Sequence, residues 1–438
     1  MKHRILKRYP VGNPRRKWRQ DYFILNTACT APLSSALVPR DPLTHRKGRR
    51  GVLTALDAGF NMLGTLWTEP ELALDVVRTA EQYGASVLFQ DIKRFGGNWS
   101  GIKGETNDYV GAIRDTAKWN CIKGYFLWDE PIFPEHLEET RRMVDYCEEV
   151  RPDVLPFTVA HPDYNPVHTW QNGEYIPYIK QFAEVIDPAQ MQFDYYPIGK
   201  EEYDPALQLD NSTMWSDLEI VRREAQSREI PFWFAYQPHA FPWYPVSCPY
   251  YFSMTRAMAF AGVLHGAKGL DCYAEFDGYV DPATGGPGIY FEEQKQLNRE
   301  LRNLGNTLLA LTCLRVIHDE TLLKDHPTMV GYRTPFSESQ LLTGKLAPRI
   351  SVSEHTDAYG NLYLMVLNRD YDHAAHISLA FQKPSHVYEV AKDDGEQHFL
   401  YENTANAIRV SLNPGDLRLF RIQDGTEEPF TIEYCLEK

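Results

Sequence analysis

The chain has 438 residues, of which 43% are apolar and 24% charged, so it can bury a large core and is neither disordered nor fibrous. Its net charge of −14, from 45 basic and 59 acidic side chains, excludes a broad basic surface for nucleic acid or an anionic membrane. The seven cysteines are scattered without a C-x-x-C pair, so no disulfide framework, zinc knuckle or other metal site is expected. No signal peptide pattern or run of about 18 apolar residues is visible, and the expectation is a cytoplasmic protein.

Residues 1–20 read as a basic arm, with Lys2, Arg4, Lys7, Arg8, Arg15, Arg16 and Lys17. From 21 to 314, eight short apolar runs alternate with amphipathic segments. The runs are Tyr22–Leu25, Phe60–Leu63, Ser86–Phe89, Gly124–Trp128, Leu155–Val159, Met191–Tyr195, Phe232–Tyr236 and Gly269–Tyr273. Each has the length and composition of a strand buried on both faces. Helical patterns lie between them, as at Glu71–Tyr83, Pro134–Val150 and Trp215–Arg228. Strands alternating with helices imply βαβ units, and eight units imply an α/β fold of the (β/α)₈ TIM-barrel type. An open doubly wound sheet has the same periodicity, but no G-x-G-x-x-G follows the first strand. A helical pattern at Phe291–Leu311 and a connector at 315–345 lead into an all-β tail. At 346–438, apolar runs such as Leu362–Leu367 and Leu417–Ile422 are separated by turn signals, which predicts a small β-sandwich.

In such a barrel the reactive groups stand at the carboxyl ends of the strands. In chain order those ends offer Asn26, Gly64 and Thr65 with Trp67 just after, Gln90-Asp91, Trp128-Asp129-Glu130-Pro131, His161, Asp194-Tyr195-Tyr196, Gln237 with His239, and Glu275 with Asp277. Carboxylates, amides and aromatics dominate, with little Lys or Arg. That lining suits a neutral polyhydroxylated ligand and not a phosphate. Glu130 follows an apolar strand and precedes Pro131, which stops the ladder. Desolvation beside Trp128 and the like charge of Asp129 would keep its carboxyl protonated, as a general acid requires. The plainer alternative is that Asp-Glu-Pro only ends a strand and opens a helix. Trp99, in the glycine-rich Gly96–Gly101 loop, is the best-placed ring to stack on a sugar; Trp128 is a further candidate. His161 and His239 are as readily core histidines as sugar contacts.

The stretches Gly124–Pro131, Ala58–Leu63, Gln192–Pro197, Pro231–Gln237 and Ala259–Tyr273 resemble the clan A glycoside hydrolases. More narrowly they are similar to bacterial β-galactosidase-like and β-glucanase-like barrels that carry a C-terminal sandwich. The resemblance implies hydrolysis of a glycosidic bond in a neutral oligo- or polysaccharide, with Glu130 as acid/base and no cofactor. One position departs from that pattern: the clan's nucleophile is a glutamate ending strand seven, and here the strand ends in Gln237. An amide cannot attack an anomeric carbon. A different strand register, a substituted position, a second carboxylate on another strand, or a barrel that binds sugar without cleaving it each accommodate this. The favoured arrangement has Glu275, or secondarily Asp194, as the second carboxylate. Asn26, Asn61, Gln90, Asp91, His161, Tyr196, Gln237 and His239 would then bond the sugar. An aldolase- or isomerase-type barrel would need a lysine or a metal set at the strand ends, and neither is evident.

Overall fold

In the computed structural model the described residues are 2–28, 44–66, 70–95, 97, 107–163, 175–198, 210, 212–239, 250–273, 278–281, 284–320, 322, 333–404 and 407–437, with backbone alone for 44–50. The strand β1 (Lys2–Arg8) precedes a barrel of eight parallel strands: β2 (Ile24–Thr27), β3 (Met62–Gly64), β4 (Ser86–Phe89), β5 (Ile122–Asp129), β6 (Leu155–Val159), β7 (Met191–Tyr195), β8 (Phe232–Tyr236) and β9 (Gly269–Cys272). Among the described residues the α-helices are α1 (Thr44–Asp57), α2 (Pro70–Tyr83), α3 (Tyr109–Thr116), α4 (Pro134–Val150), α5 (Tyr175–Ile186), α6 (Met214–Ser227), α7 (Phe252–Leu264) and α8 (Phe291–Ala310). The sheet runs β6-β5-β4-β3-β2-β9-β8-β7, and a bridge from Ala160 to Phe193 joins its two edges, so the apolar runs form a closed barrel. Among the described residues no helix is long and apolar enough to cross a membrane.

Two apolar layers hold the barrel. Ile24, Met62, Leu88, Phe126, Phe157 and Trp233 fill its interior, while Leu25, Leu63, Phe89, Leu127, Phe193 and Phe234 face the helices. A large side chain buried this way stabilises the fold by about 1.5–3 kcal/mol. Gly269 is fixed by this packing, because a Cβ there would lie 2.8 Å from the Trp233 ring. Trp233 Nε1 in turn donates to Gln20 Oε1 at 2.8 Å, which plugs the amino end of the barrel with a polar residue of the N-terminal segment.

The tail is a sandwich of two antiparallel sheets. One has the order β10-β12-β13-β18-β15-β16, from β10 (Thr312–His318), β12 (Ile350–Thr356), β13 (Leu362–Asn368), β15 (Ser385–Val390), β16 (Gln397–Thr404) and β18 (Leu417–Asp424). The other is β11-β14-β17, from β11 (Leu342–Thr343), β14 (Ala375–Phe381) and β17 (Ile408–Leu412). The run in β13 is continuously apolar for a physical reason. Leu364 and Val366 face the sandwich core, while Tyr363, Met365 and Leu367 pack with the barrel helices.

Two boundaries differ from the sequence reading. Because β10 belongs to the six-stranded sheet, the sandwich begins at Thr312 rather than near 346, and residues 315–318 and 342–343 of the expected connector are strands of it. The basic arm of residues 1–20 contains β1, which pairs in parallel with β19 (Phe430–Leu436) and ties the two ends of the chain together. Its charge is matched across that pair, with Lys7 Nζ donating to Glu437 Oε1 at 2.8 Å.

Candidate active site

Side chains alternate along a strand, so every second residue of β2, β7 and β9 points into the barrel. Above the apolar interior, β2 presents Asn26, β7 presents Gln192 and then Asp194, and β9 presents Asp271. Asn26 Nδ2 donates to Asp271 Oδ1 at 2.8 Å and Gln192 Nε2 donates to Asp271 Oδ2 at 3.1 Å, so one buried carboxylate clamps three strands.

On β5 the alternation is broken. Phe126 pairs with Phe157 and Trp128 with Thr158, which leaves Leu127 as an extra residue, a bulge. A one-residue slip exchanges the faces of all later side chains. Trp128 therefore points outward, fully buried with its ring 4.7 Å from that of His136 in α4. Asp129 points inward and is half-buried at the mouth. Burial and the charges of Asp194 and Asp271 push Asp129 up to about 8. Burial also lifts Asp271 to about 6, opposed by the hydrogen bonds from Gln192 and Asn26. The floor of the site is thus three mutually repelling carboxyls from β5, β7 and β9. Such a group holds a proton at neutral pH while keeping at least one carboxylate charged.

Glu130 lies just beyond β5 with φ +51, a left-handed conformation uncommon for residues other than glycine. It is 6% exposed, and its Oε2 is 3.9 Å from His161 Nε2. The His161 ring is tied through Nδ1 to the Pro162 carbonyl at 2.7 Å. Tyr178 of α5 receives the His161 amide at 3.1 Å and donates to the Pro131 carbonyl at 3.1 Å. Glu130 and His161 thus lie together, buried just past the ends of β5 and β6, where the Glu130 NH also donates to the Val159 carbonyl at 3.1 Å.

The other expected residues divide clearly. Asn26 and Asp194 join the carboxylate layer. Tyr196 stacks on the half-buried Tyr273, with centroids 5.1 Å apart and planes at 26°, making an aromatic wall beside Asp194. Asp91 follows β4, where burial raises its pKa and Oδ1 accepts the Lys93 amide at 3.1 Å. Gln90 is buried next to it, with its backbone NH donating to the Thr65 hydroxyl at 2.7 Å. His239 is buried against Gly278, where a Cβ would come within 2.7 Å of the ring.

Three assignments are corrected. Asn61 precedes β3, at the amino end of the barrel, and its amide is taken up by the Leu25 NH and the Phe23 carbonyl, both at 2.8 Å. Trp128 is outside the barrel and offers no face to a sugar. Gln237 is fully buried, and its amide pairs with the backbone of Ile198, accepting from N at 3.0 Å and donating to O at 2.8 Å. It is a clip on the chain after β7. Glu275 and Trp99 lie outside the described residues. Asp129 entered the sequence reading only as a charge beside Glu130, and Gln192, Asp271 and Tyr273 were not singled out as chemistry-bearing. The alternation of Gln192 with Asp194 was a usable signal; the bulge that turns Asp129 inward was not.

No family model matches the chain, and no curated protein matches it. Among solved structures it is similar to a candidate α-galactosidase/melibiase from Bacteroides fragilis NCTC 9343, with TM-score 0.52, 12% identity, and coverage of 92% of this chain and 79% of that one. A second candidate α-galactosidase from the same organism gives TM-score 0.49 at 10% identity, covering 87% of this chain and 76% of that one. An endo-β1,6-glucanase gives TM-score 0.44 at 10% identity, covering 95% and 94%. The fold of this chain, a (β/α)₈ barrel followed by a β-sandwich, is similar to that of the first of these structures.

Proposed function

We propose that the chain is a glycoside hydrolase acting on a neutral glycan, with Asp129 and Asp194 as its working carboxyls. The observation that carries this reading is the position of Asp129: half-buried at the barrel mouth, facing Asp194, with burial and like charge holding it protonated toward pH 8. Glycoside hydrolysis needs one protonated carboxyl to release the leaving oxygen and one carboxylate to attack or to activate water. A pair that shares one proton at neutral pH meets both needs. Asp271 supplies charge beneath it, and Tyr196 with Tyr273 offers an aromatic surface to the apolar face of a sugar ring. Glu130, expected as the acid, is proposed instead to brace the end of β5. Gln237 gave the main support to a sugar-binding protein without activity; its pairing with Ile198 accounts for the amide structurally, and the hydrolase reading is favoured.

The fold likeness to a candidate α-galactosidase makes α-galactosides the first substrates to try. Wild type, Asp129→Asn and Asp194→Asn should be compared on aryl α- and β-glycosides, with and without azide. The reading expects hydrolysis by the wild type, a loss of about 10²–10⁴-fold or more in each variant, and formation of a glycosyl azide in at least one. The configuration of that azide assigns the roles: retained when the acid/base has been removed, inverted when the nucleophile has. Two variants that hydrolyse like the wild type would refute it.

A further inference from the structure

We propose that Asp271 is a positioning residue of this site: a buried carboxylate whose charge keeps the working proton on the Asp129–Asp194 pair and so sets the alkaline limit of activity. The inference rests on the reading of that pair given above and adds to it a residue that does not touch the reacting atoms.

Three observations carry it. First, Asp271 is placed to be ionised and fixed. It is 4% exposed on the inner face of β9, and both its oxygens accept side-chain NH groups, one from Asn26 on β2 and one from Gln192 on β7. Donors of this kind favour the carboxylate over the acid. Second, its charge is uncompensated: among the described residues it makes no ion pair with a lysine, arginine or histidine. The groups that face it inside the barrel are Asp129 on β5, Asp194 on β7 and the two amides, whereas Tyr236 on β8 lies on the helix side with its hydroxyl accepting from Gln294. Asp129 is faced by Asp194 and Asp271, with Glu130 next to it in the chain and His161 beside Glu130. A negative charge in that setting acts on Asp129 and Asp194 through low-dielectric protein and raises the free energy of their fully ionised state. Third, the clamp is asymmetric. Among the described residues Asn26 Oδ1 and Gln192 Oε1 accept no hydrogen bond, and each amide meets Asp271 with its NH₂ side.

The same asymmetry makes the test clean. In Asp271→Asn the new NH₂ group can donate to Asn26 Oδ1 or Gln192 Oε1 after an amide turn, so shape and hydrogen bonding survive while the charge goes. The inference expects the alkaline limb of the kcat/KM profile to move about one pH unit lower, with KM on the acid side of the profile close to wild type. The infrared C=O band of the protonated mouth carboxyl, titrated without substrate, should move by the same amount. A folded Asp271→Asn whose limb and band both stay in place overturns the inference. If instead Asp129→Asn still hydrolyses glycosides, the reading of the pair fails, and the infrared titration continues to report whether Asp271 holds the proton. Should Asp271→Asn not fold, Gln192→Met withdraws one donor and leaves Asp271 easier to neutralise. It should move the band in the same direction by less, and a band that stays or moves upward contradicts the proposal.

Discussion

Asp129 keeps its proton at the expense of the fold. Its pKa lies near 8 in the folded chain against 3.8 for the free side chain. A carboxyl raised in this way favours the folded state most at low pH, and that contribution is lost as pH climbs from about 4 through 8. Asp129→Asn never has to ionise, so it should melt several degrees above wild type at pH 8 and converge with it near pH 4. A melting difference that is flat between those pH values would mean that Asp129 is not held protonated. The sequence drew attention to this dipeptide but selected its second acid. Counting inward positions from Phe126 leads to Trp128 and Glu130; the bulge at Leu127 shifts the count by one and puts Asp129 inside. Nothing in Phe126-Leu127-Trp128 announces a bulge, because none of the three is a strand breaker, and only the pairing with Phe157 and Thr158 reveals it.

At the scale of elements, the eight barrel strands were legible because each is an apolar run buried on two faces and separated by an amphipathic helix. The carboxyl ends were less legible, since what decides their chemistry is where a side chain is tied. Gln237 stands where a nucleophilic glutamate was expected, and its bonds to Ile198 show an amide doing what a carboxylate cannot: it donates and accepts at once. Gln237→Glu should therefore gain no activity. It would set a carboxylate oxygen against the Ile198 carbonyl and cost about 1–3 kcal/mol, readable as a lower unfolding midpoint in urea. A rise in turnover would instead show that the position is catalytic. Asn61 teaches the same lesson at the amino end of β3, where a polar residue at a strand boundary bonds the Leu25 NH of β2 and the Phe23 carbonyl just before it.

At the scale of the whole molecule, the sequence separated a barrel from an all-β tail but could not show how closely they are joined. The junction is polar and buried. Arg369, fully buried in the turn after β13, bonds Asp210 and Asp319 and lies over the Trp215 ring at 5.6 Å. A second network joins Arg256 of α7 to Glu300 of α8 and to Asp416 of the turn before β18, at 2.8 and 2.7 Å. Such partners are far apart in sequence and leave no periodic trace. Arg369→Met removes the buried cation that Asp210 and Asp319 share, leaving Asp210 with Arg349 at 3.8 Å, and should destabilise the chain by about 3–5 kcal/mol, measured by denaturant unfolding followed through tryptophan fluorescence. A loss below about 1 kcal/mol would show that the sandwich is not coupled to the barrel through this residue.

The most direct measurement is the hydrolysis rate of Asp129→Asn, Asp194→Asn and Glu130→Gln, purified side by side and assayed on the best aryl glycoside found for the wild type. With the Asp129–Asp194 pair carrying the chemistry, both asparagine variants fall by about 10²–10⁴-fold or more, and Glu130→Gln falls by about tenfold with a lower melting temperature. An inactive but stably folded Glu130→Gln beside an active Asp129→Asn would contradict the account.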